Sequence, residues 1–250
     1  MRSVSKHFFV PFFAIALLIS CKTIYQPHSV NYADYRITPA NIPDNSVVQL
    51  LQPYADSVNK SMNTVVVVAA TALEKNQPEG TLGNILADAM LAKARQQYKI
   101  NVDAAFINYG GIRLTTIPAG NITRGKIFEV APFDNVIVLL QLKGKLLQEF
   151  LNHISGRGGW PAAGISWQIK NKSATNVLIN ATPIDENATY TIAVADYVAN
   201  GGDDAIMLKP IPQINNGYLF RDAVIEYFSG INQQGKKLEA KIEKRVTNAE

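Results

Sequence analysis

Apolar and polar positions change period several times along the chain, and each change predicts an element. Residues 64–73 (TVVVVAATAL) are rich in valine and predict a buried strand. Pro78, Glu79 and Gly80 break that run, and Thr81 stands where a helix N-cap is expected. Leu82, Ile85, Leu86, Ala89 and Met90 then recur at helical spacing, so a helix is predicted to about Tyr98. A short strand is expected at 104–107, running into a turn at Gly110 and Gly111. Residues 136–142 (VIVLLQL) are apolar on both faces, as in a central strand. Gly144 opens a second helix, with Leu146, Leu147, Phe150, Leu151 and Ile154 along one side. Residues 156–164 (GRGGWPAAG) read as a flexible connection around Trp160. Strands are expected at 164–169, 176–180 and 190–195. A third amphipathic helix covers 218–228, with Leu219, Ala223, Val224 and Tyr227 inward. Helices and strands mix without strict alternation or internal repeat, which predicts α/β layers around a mixed sheet.

The N-terminus follows different rules. Arg2 and Lys6 precede a short apolar stretch, residues 8–19, that ends at Leu18-Ile19-Ser20-Cys21. The stretch is too short to span a bilayer and reads as a secretory signal over residues 1–20. Its end resembles a bacterial lipobox, in which Cys21 becomes the lipidated first residue. That anchor would tie the chain to the bacterial cell envelope, periplasmic or surface-facing. Cys21 is the only cysteine, so an internal disulfide is ruled out. Residues 21–45, with Pro27, Pro39 and Pro43, read as a tether, and 46–250 as one folded domain.

Charge excludes a class of partner. Of 24 basic residues, Arg2 and Lys6 fall in the signal, leaving 22 against 20 acidic ones. So balanced a surface has no footprint for a nucleic acid polymer. The one charge run, residues 236–245 (KKLEAKIEKR), alternates in sign and reads as a solvated face.

Three segments carry candidate chemistry, each at a strand end or turn. In NYGGIR (108–113), two glycines allow a sharp turn and close approach of a ligand. Asn108 offers a donor and an acceptor that suit the edge of a base, and Arg113 offers a rigid fork of donors. In APFDNVIV (131–138), Pro132 fixes the backbone before Phe133, whose ring suits a stacked base. In DYVANGGD (196–203), Tyr197 supplies a second ring, and the Asp203 carboxylate can accept the two hydroxyls of a ribose. Taken singly, each motif also fits an ordinary turn or core residue.

In this order, and preceded by LGNILADAM at 82–90, the segments resemble the C-terminal domain of the bacterial and animal 5'-nucleotidase family. The resemblance covers the chain from about Val47 onward. It implies a layered α/β/β/α-type domain with mixed β-sheets that binds the nucleoside part of the substrate. It assigns Phe133 and Tyr197 as the rings that sandwich the base, and Asn108 as a base contact. Arg113 and Asp203 would hold ribose hydroxyls or nearby oxygens. Arg95 lies one position from where some members carry another ligand-contacting arginine. Three departures stand out. Tyr109 replaces a glycine and is expected to narrow the pocket. Asp204 and Ala205 replace a Gly or Asn and an aromatic residue, and Asp204 is expected to repel a nearby phosphate.

Full-length members hydrolyse phosphate esters in a separate N-terminal domain with two metals, and such chemistry needs both ions held close together. This sequence has three histidines, His7 in the signal, His28 in the tether and His153 near a helix end, and no D-x-H or G-N-H-E arrangement. His153 reads as a polar residue on a helix edge. No catalytic residue and no cofactor is therefore expected in this chain. The resemblance points to the recognition subunit of a split 5'-nucleotidase, inactive alone. A separate secreted metallophosphoesterase would bring the divalent metals. The alternatives are a nucleoside-binding lipoprotein without enzymatic partner and an interaction module with a degenerate pocket.

Overall fold

The structure is a computed structural model that describes residues 28–36, 38 and 40–249. The expected signal peptide, Cys21 and the start of the tether lie outside these residues. The chain divides into two units, Met1–Gln49 and Leu50–Glu250. In the first, residues 28–36 form no helix or strand. Helix α1 (Asn45–Met62), which the hydrophobic pattern left unassigned, begins in the first unit and continues in the second, and has no buried residue. Its Leu50, Leu51, Tyr54 and Val58 are exposed.

The second unit contains the site. Its centre is a five-stranded sheet in the order β12-β6-β11-β3-β7. These strands are β3 (Ala104–Phe106), β6 (Ile137–Lys143), β7 (Ala162–Ala163), β11 (Thr189–Ala195) and β12 (Gln213–Ile214). β11 runs parallel to β3 and antiparallel to β6. A four-stranded sheet joins β8 (Ile165–Lys170), β9 (Ser173–Ile179), β10 (Thr182–Pro183) and β13 (Val246–Asn248), with β13 parallel to β8. Two small antiparallel pairs complete the strands: β1 (Val65–Ala69) with β5 (Gly120–Thr123), and β2 (Leu73–Glu74) with β4 (Thr116–Ile117).

Because strand side chains alternate, the central sheet serves two cores. Ala105, Ile137, Leu139 and Ala193 enter one, shared with α2 (Thr81–Tyr98) and α6 (Phe220–Gln233). Phe106, Val138, Leu140, Ile192 and Val194 enter the other, with α4 (Gly144–Gly156) and the inner face of the four-stranded sheet. Phe106 and Phe150 meet edge-on there at 5.3 Å, and Phe150 meets Trp160 at 5.9 Å. Edge-on pairing of buried rings adds about 0.5–1.5 kcal/mol to their burial. The domain is thus α/β, with mixed sheets flanked by helices in the α/β/β/α-type layering.

Where the elements differ from the sequence reading, a tertiary contact decides. Thr81 is the first helical residue and Gly80 the cap, because the Thr81 hydroxyl accepts from the Glu74 amide at 2.8 Å. The connection around Trp160 is anchored: Trp160 is buried and Ala162–Ala163 pairs with β3. The run 236–245 is not one solvated face. Leu238 is fully buried and bridges β1, while Arg245 makes two hydrogen bonds to Asp88, at 2.7 and 2.9 Å. The pattern also missed β5 and α3 (Arg124–Val130), whose N-cap Thr123 accepts from the Lys126 amide.

Candidate functional site

Strand direction brings the three candidate segments together. Since β3 and β11 are parallel and β6 opposes β11, the ends of β3 and β11 lie at the same sheet edge as the start of β6. NYGGIR follows β3, APFDN precedes β6, and DYVANGGD begins as β11 ends, opening with the short helix α5 (Asp196–Ala199). Such edges, where strands stop and loops diverge, are where α/β proteins form clefts. A cavity of about 280 Å³ opens there, lined by Asn108, Gly110, Gly111, Arg113, Phe133, Asn135, Tyr197 and Asp203. The five main residues singled out from the sequence thus share one cavity.

The two rings stand half out of the protein, Phe133 at 48% exposure and Tyr197 at 47%, so neither is core. The Arg113 guanidinium lies 5.7 Å from the Phe133 ring centroid and donates weakly, at 3.4 Å, to the Gly110 carbonyl. Asn108 is buried, and its Nδ2 donates to Asp203 Oδ2 at 2.8 Å. The Tyr197 hydroxyl donates to Asp203 Oδ1 at 3.3 Å and accepts from the Asp203 amide at 3.2 Å. Both carboxylate oxygens are therefore oriented by neighbours before any ligand arrives, and each keeps a lone pair free. Two glycines make this arrangement fit. A Cβ on Gly111 would lie 2.6 Å from Asn108 Oδ1, and one on Gly202 would overlap the Tyr197 ring. A pocket with two accessible rings and an oriented carboxylate can stack a flat heterocycle and accept hydrogen bonds from a vicinal diol.

Several expectations are corrected. Arg95 is outside the pocket, on the last turn of α2, where its Nε donates to the Val102 carbonyl at 2.8 Å. Tyr109 does not narrow the cavity. It packs against the second core, with Lys75 Nζ 3.9 Å above its ring. Asp204 forms an ion pair with Arg157, which offsets the charge that would face a phosphate. His153 is more than an edge residue, since its Nε2 lies 2.9 Å from the Asp203 carbonyl oxygen.

Three residues escaped the sequence reading. Asn135 lines the cavity, and its signal was a polar residue at the mouth of an apolar strand. Lys75 donates to the Ile112 carbonyl at 2.8 Å, and burial together with the nearby Arg113 cation lowers its pKa. Arg221 is buried on α6 and braces the Phe133 loop. Its Nη1 faces the carbonyls of Ala131, Pro132 and Phe133 at 3.2–3.4 Å, its Nη2 pairs with Asp134, and its guanidinium lies 4.1 Å from the Phe128 ring. Its only signal was a cation within the apolar stripe of Phe220, Ala223, Val224 and Phe228.

A larger open groove of about 770 Å³ lies along α2 and α6, but its rim mixes lysines and acids of both signs without convergent polar groups. Among the described residues, no cluster of three or more His, Cys, Asp or Glu side chains could hold a metal ion. No helix among them is long and apolar enough to cross a membrane.

Fold and pocket together define an α/β domain with a cleft at its strand ends, lined by two half-exposed rings and an oriented carboxylate. The model of the family described as 5'-nucleotidase, C-terminal domain, matches residues 58–210, and the chain belongs to that family. It is 26% identical over 195 residues to the 5'-nucleotidase of Vibrio parahaemolyticus, covering 74% of this chain and 34% of that protein. It is 31% identical over 185 residues to the trifunctional nucleotide phosphoesterase protein YfkN of Bacillus subtilis, covering 67% and 12%. The crystal structure of a 5'-nucleotidase precursor from Thermus thermophilus superposes with a TM-score of 0.69 at 28% identity, over 82% of this chain and 44% of that one. The chain thus spans about a third or less of the length of these curated relatives.

Proposed function

We propose that this protein is the nucleoside-recognition subunit of a split 5'-nucleotidase. It grips a nucleoside or nucleotide between Phe133 and Tyr197, with Asp203 and Arg113 on the sugar and its oxygens and Asn108 and Asn135 beside the base. The 5'-phosphate is thereby held toward a separate secreted metallophosphoesterase, which supplies the divalent metals and breaks the bond. Recognition of this kind contributes to rate through proximity, since a bound substrate meets the second active centre in one orientation. The observation that carries the reading is the convergence of two half-exposed rings and an oriented carboxylate on one cavity. The one histidine of the domain region, His153, hydrogen-bonds a backbone carbonyl, which suits a structural part better than a catalytic one.

Lipidation at Cys21 would hold the protein at the bacterial envelope, periplasmic or surface-facing. Cys21→Ser should move it from the membrane to the soluble fraction, and an unchanged distribution would refute the anchor. Calorimetric titration with adenosine and AMP tests the pocket: wild type is expected to bind, and Phe133→Ala/Tyr197→Ala is not. Equal binding by both proteins discards the stacking assignment. Affinity purification from the native membrane tests the partner. A co-purifying metallophosphoesterase with nucleotidase activity supports the split enzyme. Its absence leaves a non-enzymatic nucleoside-binding lipoprotein.

A further inference from the structure

The Asp203 carboxylate stands on unusual backbone. Within four residues the chain takes left-handed φ three times, at Gly201 (90°), Asp203 (51°) and Asp204 (57°). Aspartate tolerates this region better than most residues, yet two in succession need support from outside the loop. The support comes from the C-terminal end of α4. His153 Nε2 lies 2.9 Å from the Asp203 carbonyl oxygen, and since a carbonyl only accepts, that nitrogen carries a hydrogen. One turn on, the Arg157 guanidinium pairs with the Asp204 carboxylate. Neither side chain lines the cavity.

The platform is deeply packed. Leu147, Phe150, Leu151 and Ile154 of α4 are fully buried in the second core. Gln77 Nε2 donates to the carbonyls of Arg157 and Gly159 at 2.9 and 2.7 Å, which pins the chain just past the helix. With its carbonyl and the following residue held from below, Asp203 turns its carboxylate up toward Asn108 and Tyr197.

We propose that His153 and Arg157 are positioning residues: they hold the left-handed Asp203–Asp204 pair from beneath, and so set the pocket's preference for sugars with a free vicinal diol. This rests on the nucleoside reading of the pocket. It also gives Asp204, a departure from the family pattern, a task as the acceptor of the Arg157 brace.

The test is titration of the purified full chain with adenosine and with 2',3'-dideoxyadenosine, for wild type, His153→Leu, His153→Gln and Arg157→Ala. Wild type is expected to favour adenosine by about tenfold or more, the scale of a hydrogen bond to a charged group. His153→Leu and Arg157→Ala should cut that ratio to about threefold or less, mainly by weakening adenosine, and His153→Gln, which keeps an N–H, should recover part of it. Equal weakening toward both ligands, or an unchanged ratio, overturns the proposal. Arg157 is exposed enough that its variant should fold even where His153→Leu does not. Should wild type bind neither nucleoside, the nucleoside reading falls and the sugar preference with it. Hydrogen exchange of the 201–205 amides then decides the positioning role: faster exchange in the variants supports it, and unchanged exchange refutes it.

Discussion

The loop carrying Phe133 and the loop carrying Tyr197 and Asp203 face the same cavity but are held by opposite means. Phe133 is secured from the first-core side by Arg221, a buried cation facing three carbonyls and one carboxylate. Asp203 is secured from the second-core side by an imidazole and by an ion pair whose Asp204 side chain is 83% exposed. A buried cation that several acceptors share is costly to remove, because three carbonyls lose one donor at once and the packed side chain leaves a gap. An exposed pair contributes little free energy and mainly selects a geometry. Stability is therefore concentrated behind one wall of the pocket and orientation behind the other.

The contrast can be broken most strongly at Arg221. Arg221→Met should destabilise the protein by about 3 kcal/mol in denaturant unfolding, since three carbonyls are left without their donor. Arg157→Ala, by comparison, should cost about 0.5 kcal/mol or less. Similar losses for the two would erase the distinction between the walls. Gly202→Ala should come next. The new methyl would overlap the Tyr197 ring and lie 2.5 Å from the Tyr197 carbonyl, so the ring or the loop must shift. A cost of roughly 1–3 kcal/mol is expected, with weakened nucleoside binding in the same calorimetric assay.

A smaller effect sharpens the second wall. Tyr197→Phe keeps the ring and removes the hydroxyl that touches Asp203 on both its carboxylate and its amide. Dideoxyadenosine binding should be retained, while adenosine weakens by about threefold to tenfold. The smallest expected effect lies in alkali and belongs to the first core. Burial raises the pKa values of Tyr98, Tyr218 and Tyr227 above the ordinary tyrosine value, with Glu226 adding to the shift at Tyr218. A raised folded pKa means stability is full below the unfolded value of about 10 and declines as pH rises past it. Unfolding free energy should thus fall above that pH, and less steeply in Tyr218→Phe. A flat profile would show that these phenols titrate alike in both states.

Particular elements show how legible the chain was. The helices at Thr81–Tyr98 and Gly144–Gly156 were readable from a helical apolar period, and the inner strand at Ile137–Lys143 from a nearly unbroken apolar run. The pocket residues Asn108, Arg113, Phe133, Tyr197 and Asp203 sit in short motifs beside turns, and the order of those motifs, through the family resemblance, made them readable together. Other features stayed hidden. Leu238 is buried although charges surround it in sequence, because its backbone joins β1. Trp160 looked like part of a loose glycine-rich connection, yet Phe150 and the neighbouring strand hold it in the core.

The chain's own pattern determined the element types, the α/β class and the chemistry available at three turns, because periodicity and turn residues act over a few positions. Tertiary structure alone decided which side chains hold those turns in place. Arg221 lies 88 positions from Phe133, and His153 lies 50 from Asp203. Contacts at such separations depend on how sheets and helices pack, and local sequence does not name the partner across that distance.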